Sequence, residues 1–155
     1  MVSLSLPGQA GPGRFEDRTA EAGAVLSLSE VSRGAAVGDL DNDGDQDILL
    51  SNNNGPARLL RLDVAAPGGW LELRVMDAAR KRDAIGARVR ATLSDGRVLT
   101  RWVRTDGSYL SASDPRVHVA WPAGTQLRSV QVTWPDGRTQ TLDGVKPRSI
   151  VVVSR

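Results

Sequence analysis

Apolar and polar residues alternate with a period of two along much of the chain. In "WLELRVM", Leu71, Leu73 and Val75 are apolar, and the polar residues Glu72 and Arg74 lie between them. Such alternation is typical of β-strands that have one face in the core and one face in water. The same pattern or a short apolar run recurs in "GARVRATL" (86–93), "VLTRWVR" (98–104), "RVHVAW" (116–121), "LRSVQVTW" (127–134) and "SIVVVS" (149–154). No long helical period occurs, so the sequence predicts an all-β fold, a β-sandwich or barrel.

Turn-forming residues divide the chain. "AAPGG" (65–69) is rich in glycine and proline and is the best internal boundary, and "SDGR" (94–97) is typical of a hairpin turn. We therefore expect three parts: a flexible linker at 1–13, a short strand-rich region at 14–64 and a β domain at 69–155.

One loop of the strand-rich region is unusually acidic. "GDLDNDGDQD" (38–47) lies between two strand-like segments, "RGAAVGDL" and "DILLSN". Its aspartates come at every second position: Asp39, Asp41, Asp43, Asp45 and Asp47. Ca²⁺ takes six to eight oxygen ligands, and carboxylates this close repel one another unless a cation lies among them. The loop predicts a Ca²⁺ site, with a solvated acidic turn as the alternative.

The spacing also indicates how the loop would bind the ion. Counted from Asp39, Gly44 stands at position six, where a sharp turn is needed, and Leu50 stands at position twelve. An EF-hand needs an acidic residue at position twelve. The loop is therefore interpreted as the tip of a β-hairpin. The predicted ligands are the carboxylates of Asp39, Asp41, Asp43 and Asp47 and the backbone carbonyl of Asp45.

Composition excludes several kinds of site. The chain has no cysteine and a single histidine, His118, which excludes disulfides, thiolate sites and multi-histidine metal sites. Charge is unevenly distributed: residues 1–57 carry three arginines and nine acids, whereas residues 58–155 carry fifteen arginines, two lysines and nine acids. The arginine-rich part is either a solvated sheet face or a site for a polyanion.

Aromatic and arginine residues give an alternative function, a carbohydrate- or polyanion-binding module. An exposed aromatic strip would favour sugars, and a contiguous arginine face would favour sulfated glycans. Core positions are the competing interpretation for the tryptophans, above all those that precede the turns "WPAG" (121–124) and "WPDG" (134–137). The candidates are Trp70, Trp102, Tyr109, Trp121, Trp134, Arg88, Arg90, Arg101, Arg104 and Arg116.

Catalysis and nucleic-acid binding have less support. A hydrolase could combine His118 with Ser108 or Ser111 of "GSYLS", but a nucleophile needs an orienting acid that the sequence does not place. His118 lies between Val117 and Val119, so we expect a strand residue that faces solvent. We expect no enzyme, no helix-based reader of nucleic acid and no membrane-inserted segment.

Two parts of the chain resemble known families. "GRFEDRTAEAG" (13–23) followed by "RGAAVGDLDNDGDQDILLSNNNGPARLLR" (33–61) resembles an FG-GAP/VCBS-type repeat, the calcium-loop blade of integrin-like β-propellers. Residues 70–142 resemble an ASPIC/UnbV domain. The residues that carry this second resemblance are "RDAIGARV" (82–89), "GSYLS" (107–111) and "VTWPDGRTQTL" (132–142).

The resemblance implies an architecture and a setting. It implies a partial propeller blade, a β-hairpin with Asp39, Asp41, Asp43, Asp45 and Asp47 around Ca²⁺, followed by a UnbV-type domain. Such domains typically end secreted proteins similar to cartilage acidic protein. The expected role is an extracellular or periplasmic interaction or adhesion module with a protein or glycan partner, and exposed strand edges make a dimer an alternative.

Overall fold

The computed structural model describes residues 23–63 and 68–155. The expected linker at 1–13 and most of the boundary at 65–69 lie outside these ranges. Within them, a 3-10 turn at Ala24–Ser27 precedes the strands, and no helix has the length and apolar character needed to cross a membrane. The strands are β1 (Ser32–Gly38), β2 (Asp47–Asn52), β3 (Arg58–Leu60), β4 (Gly69–Asp77), β5 (Arg82–Asp83), β6 (Arg88–Leu93), β7 (Val98–Trp102), β8 (Val117–Trp121), β9 (Leu127–Thr133), β10 (Thr139–Leu142) and β11 (Ser149–Ser154).

The first three strands form an antiparallel sheet in the order β1-β2-β3. Strands β1 and β2 pair from Ser32↔Asn52 to Gly38↔Asp47, with one irregularity beside Ser32. The aspartate loop therefore connects two paired strands. This confirms that a β-hairpin, and not a pair of helices, carries the loop.

The remaining strands form two larger sheets. One is antiparallel in the order β10-β9-β6-β7, and the other has the order β11-β4-β5 with β8 also paired to β4. Strand β11 runs parallel to β4, so this second sheet is mixed. The prediction of an all-β fold is confirmed.

These two sheets enclose one apolar core, as in a β-sandwich. The inward residues of β4, β6, β8 and β9 are buried, and the buried Trp121 and Trp134 close the ends of β8 and β9. Burial at strand ends, before a turn, confirms the core interpretation for these two tryptophans. The buried cluster consists of Leu71, Leu73, Val75, Ala84, Ala87, Val89, Ala91, Leu93, Val103, Val117, Val119, Trp121, Val130, Val132, Trp134 and Val153.

One expectation about β4 is wrong. The alternation in "WLELRVM" places Glu72 on a wet face together with Arg74, but Glu72 is 0% exposed while Arg74 is exposed. The aspartate loop lies near this end of β4, because Gln46 contacts Glu72 and Gly44 lies against the ring of Trp70. Alternation tells which residues share a face of a strand, but it does not tell whether a distant segment covers that face.

Candidate metal centre

The aspartate loop folds around the carboxylate of Asp39. This side chain is 0% exposed. Its Oδ1 accepts a hydrogen bond from the backbone N–H of Asp43 (3.1 Å), and its Oδ2 accepts one from the N–H of Gly44 (2.9 Å). The carboxylate of Asp43 in turn accepts the N–H of Asp45 at 2.9 Å. Aspartate side chains at alternate positions thus accept hydrogen bonds from the backbone N–H groups of the turn, and these bonds curl the loop inward.

Three carboxylates converge at this loop. One oxygen each from Asp39, Asp41 and Asp43 lies within 4.8 Å of the others. One member of the group forms an ion pair: Arg61 Nη1 lies 3.6 Å from an oxygen of Asp41. Desolvation raises the pKa of Asp41, and the neighbouring carboxylates of Asp43 and Asp47 raise it further. An all-oxygen, negatively charged donor set fits a hard divalent cation such as Ca²⁺.

The last two predicted ligands have a different geometry. The Asp47 carboxylate is 2% exposed and accepts the N–H of Leu40 on Oδ2 and of Leu62 on Oδ1, both at 3.0 Å. It joins the start of the loop to the segment that follows β3, and it lies outside the group of three converging carboxylates. Ligation by Asp47 and by the Asp45 carbonyl stays a prediction.

Gly44 is needed at the turn for two reasons. Its φ of 97° is in the left-handed region that side chains disfavour. A Cβ at this position would also overlap the indole ring of Trp70, which lies against the loop. The sequence placed Gly44 at the turn position, but the contact with Trp70, a residue of β4, is visible only in the structure.

Arg116 connects the loop to the β-sandwich. Its guanidinium donates to the side-chain oxygen of Asn42 (2.6 Å) and to the backbone carbonyl of Asp39. The same group donates to the carboxylate of Asp114 (2.6 Å) and lies 2.7 Å from Oε2 of Glu72. Oε2 of Glu72 has no hydrogen-bond partner, so its contact with Arg116 is an ion pair. Arg116 was predicted only as a member of a polyanion site, and the structure gives it this internal role.

His118 also contacts the loop. Its Nε2 lies 2.8 Å from the carbonyl oxygen of Gly44, and the ring is half-buried, so the expectation of a solvent-facing residue is wrong. The residue pairs across strands with Glu72, on the face of β4 that the loop covers. No sequence signal indicated this contact, because 74 residues separate the two partners.

The two serines considered with His118 have other partners. Ser108 Oγ accepts the N–H of Ala35 at 3.0 Å, and Ser111 Oγ donates to the carbonyl of Tyr109 at 3.0 Å. Ser108 and His118 both line a cavity of about 400 Å³ between β1 and the sandwich. In the part of the chain that the structure describes, no hydrogen bond joins either serine to His118.

Glu72 is the buried acid of this junction. Burial raises the pKa of Glu72 to about 7, with smaller contributions from the carboxylates of Asp39 and Asp114, while the guanidinium of Arg116 opposes the rise. At neutral pH the side chain therefore exists in both protonation states. Its Oε1 accepts a weak hydrogen bond from the amide of Gln46 at 3.4 Å.

This pKa predicts a loss of stability as the pH rises. The folded pKa of about 7 lies above the unfolded value of 4.5, so between these values the folded state binds the extra proton. The free energy of unfolding should fall across this window, by about 3 kcal/mol in total, and then level off. Urea unfolding at about pH 5 and about pH 8, without divalent cations, would measure the fall.

The matched control for this prediction is Glu72→Gln. All other groups titrate alike in both proteins, so the difference between their two pH profiles isolates Glu72. We expect the variant to be nearly as stable at about pH 8 as at about pH 5. Parallel profiles for the two proteins would contradict the assignment.

The structure separates the aromatic and arginine candidates into groups. Trp121 and Trp134 belong to the core, and Trp70 lies against the aspartate loop. Trp102 and Tyr109 are exposed, Trp102 by 54%. The exposed aromatics do not form a strip of stacked rings on one sheet face, since only Trp102 lies in a strand.

Comparison with known proteins assigns the C-terminal half of the chain to a family. A family model described as ASPIC and UnbV matches residues 77–155, about half of the 155-residue chain. No curated protein matches the chain. Among solved structures, the chain is similar to the pilus 2b backbone protein of group B streptococcus, with a TM-score of 0.32 and 12% sequence identity. The similarity covers 76% of this chain and 50% of that one, so the chain spans about half the length of the pilus protein.

Proposed function

We propose that this chain, which belongs to the ASPIC and UnbV family, binds Ca²⁺ through its aspartate loop and acts as a non-catalytic interaction or adhesion module. The family match begins at residue 77 and does not reach the loop. The resemblance of residues 13–61 to an FG-GAP/VCBS-type repeat therefore stays a prediction. The Ca²⁺ proposal is supported by the geometry of the loop itself.

The observation that carries the proposal is the convergence of Asp39, Asp41 and Asp43 within 4.8 Å. Bound Ca²⁺ would supply the positive charge that offsets the mutual repulsion of these carboxylates. Asp39 is already oriented by two backbone N–H donors, which reduces the cost of ordering the site. Asp47 and the Asp45 carbonyl are proposed to complete the oxygen shell.

The position of the loop suggests what the ion does. Arg116 and His118 of the β-sandwich contact the backbone carbonyls of Asp39 and Gly44. A cation that holds the loop in shape would therefore also hold the three-stranded sheet against the sandwich. We propose that Ca²⁺ stabilises this junction and, through it, the surface that a protein or glycan partner contacts.

A non-catalytic role agrees with the partners of the candidate nucleophiles. Ser108 and His118 contact backbone groups of Ala35 and Gly44, and Ser111 contacts the carbonyl of Tyr109 in its own segment. The first two contacts join distant segments of the fold. The proposal includes no reaction at these residues.

We further propose an extracellular or periplasmic location. Calcium sites of extracellular modules bind in the range of about 10⁻⁴ to 10⁻³ M, which a small exposed carboxylate group can reach. Asp41 and Asp43 are both exposed, in keeping with such a site. A dimer through free strand edges remains part of the proposal, with sedimentation as its test.

Calcium titration tests the proposed function. We expect chelator-treated protein to bind one Ca²⁺ in isothermal calorimetry, and Asp41→Ala and Asp43→Ala to abolish the binding. At a Ca²⁺ concentration about one hundred times the Kd, the free energy of unfolding should rise by about 2.7 kcal/mol through linkage. The two variants should show no such rise.

Asp95→Ala is the matched control, because it removes one exposed carboxylate that pairs with Arg97 in a distant turn. This variant should bind Ca²⁺ like the original protein. Equal Ca²⁺ affinity in Asp41→Ala, Asp43→Ala and the control would show that the loop is only an acidic turn.

A further inference from the structure

The four-stranded sheet β10-β9-β6-β7 has one face in the core and one face in water. The buried residues Val89 and Ala91 of β6 point to the core, so Arg88 and Arg90 point outward. In the register of the sheet, Arg88 lies between Trp102 of β7 and Thr133 of β9. The two arginines thus lie on the outer face of a central strand, with Arg88 at one end of the sheet.

This face carries positive charge and no acidic residue. The outward positions of the four paired strands hold threonine, serine, glutamine, arginine, one valine and one tryptophan. A surface of this composition has no internal counter-charge for its arginines. It has many hydroxyl and amide groups, which both donate and accept hydrogen bonds.

The two arginines differ from most others in the described residues. Arg97, Arg138 and several more form ion pairs with a nearby aspartate or glutamate. Within residues 23–63 and 68–155, neither Arg88 nor Arg90 lies within 4.0 Å of a carboxylate oxygen. Arg88 instead lies over the ring of Trp102, at 5.8 Å from the centroid.

Two atoms on this face lack hydrogen-bond partners. Arg88 Nε and Thr133 Oγ1 are buried atoms without a partner, and their residues are neighbours across the strands β6 and β9. Buried polar atoms are nearly always satisfied in proteins. Because both atoms are shielded from solvent, they do not themselves bind a ligand, and the groups available to one are the exposed polar side chains around them.

From these observations we infer that the outer face of this sheet binds an acidic polysaccharide. The guanidinium groups of Arg88 and Arg90 pair with sulfate or carboxylate groups, and the exposed indole of Trp102 stacks on a sugar ring. The threonine, serine and glutamine side chains bond the sugar hydroxyls. This inference does not depend on the Ca²⁺ loop, since no aspartate of the loop lies on the face.

A polysaccharide fits the face better than other polyanions or a protein. Single-stranded nucleic acid is held by several aromatic platforms, and this face has one. A protein interface usually has an apolar centre, and Val98 is the one aliphatic residue among the outward positions of the paired strands. Arg101 pairs with the inward Val89, so it belongs to the opposite face of the sheet, where it lines the cavity of about 400 Å³ together with Arg104 and Asp106.

Calorimetric titration with size-defined acidic oligosaccharides tests the inference. The probes are a heparin oligosaccharide, which carries sulfate, an oligogalacturonate, which carries only carboxylate, and an uncharged dextran oligomer. We expect one acidic probe or both to bind at low salt and dextran not to bind. The double variant R88Q/R90Q should weaken binding by about tenfold or more, because two charge-assisted contacts are lost.

The control is R33Q/R82Q, which removes the same charge from exposed arginines in the other two sheets. It should change the affinity by less than about twofold, the size of an unspecific charge effect. W102A should weaken the binding of the oligosaccharides but not the binding of poly(vinyl sulfate), a sulfated polymer without sugar rings. Melting curves for each variant verify folding, and addition of chelator, which removes Ca²⁺, should leave the affinity unchanged.

Several results would overturn the inference. Equal losses in R88Q/R90Q and R33Q/R82Q would indicate unspecific attraction to a basic protein. Binding of an oligothymidylate as tightly as the oligosaccharides, with the same sensitivity to R88Q/R90Q, would assign the face to nucleic acid. No heat with either acidic probe would remove the site, while a failure of Ca²⁺ binding alone would leave it intact.

Discussion

Replacing Gly44 by alanine is expected to lower the free energy of unfolding by roughly 3 kcal/mol or more. The left-handed backbone at Gly44, with φ of 97°, disfavours any side chain. The added methyl would also overlap the Trp70 ring, which lies against the loop. Because the loop would have to move away from β4, we also expect weaker Ca²⁺ binding.

Gly96→Ala is the matched control for this prediction. Gly96 has a φ of 88°, but no atom lies within 4 Å of the position that its Cβ would take. Its substitution should therefore cost only the backbone strain, about 1–2 kcal/mol. Urea unfolding monitored by tryptophan fluorescence measures both variants. Equal losses at the two positions would show that the Trp70 contact contributes nothing.

Replacing Arg116 by methionine should destabilise the protein by roughly 3 kcal/mol when measured at about pH 8. The change removes the donor to Asn42 and to the Asp39 carbonyl, and it leaves the buried Glu72 without its opposite charge. Without the guanidinium, which lowers it in the original protein, the pKa of Glu72 rises above about 7. At about pH 8 the buried carboxyl then either stays ionised without a partner or takes up a proton, and both cost stability.

A double-mutant cycle separates the charge from the other contacts of Arg116. If Glu72 supplies much of the cost, the variant R116M/E72Q should be more stable at about pH 8 than R116M alone, because the buried charge is gone. Strictly additive effects of the two substitutions would contradict this account. Lys in place of Arg116 keeps the charge but cannot reach several acceptors in one plane, so R116K should recover only part of the stability.

Both substitutions address the same feature, the junction between the three-stranded sheet and the β-sandwich. Gly44 lets the loop approach Trp70. Arg116 joins the backbone of the loop to Glu72 and Asp114. If the proposed Ca²⁺ binding is correct, Ca²⁺ binding stabilises the contact between the loop and the sandwich, and this contact in turn strengthens Ca²⁺ binding. Each variant should then lower the Ca²⁺ affinity in addition to the stability of the apo protein.

Local pattern in the sequence was sufficient for the strands and for the loop. The alternation of Leu71, Leu73 and Val75 predicted β4, because side chains of a strand point to alternate faces. The aspartates at alternate positions predicted a cation site, because ligands within one short loop are brought together by that loop alone. The converging carboxylates of Asp39, Asp41 and Asp43 agree with this prediction.

The junction was decided only by the tertiary structure. The contacts of Arg116 with Asp39 and of His118 with Gly44 join residues that are 77 and 74 positions apart. Periodicity assigns Glu72 and His118 to the outward side of their strands, where solvent is the expected neighbour, and it contains no information on which segment returns to cover them. The sequence by itself therefore determined the all-β character and the acidic loop, whereas the docking of one sheet on the other, which buries Glu72, depends on long-range packing that no local pattern records.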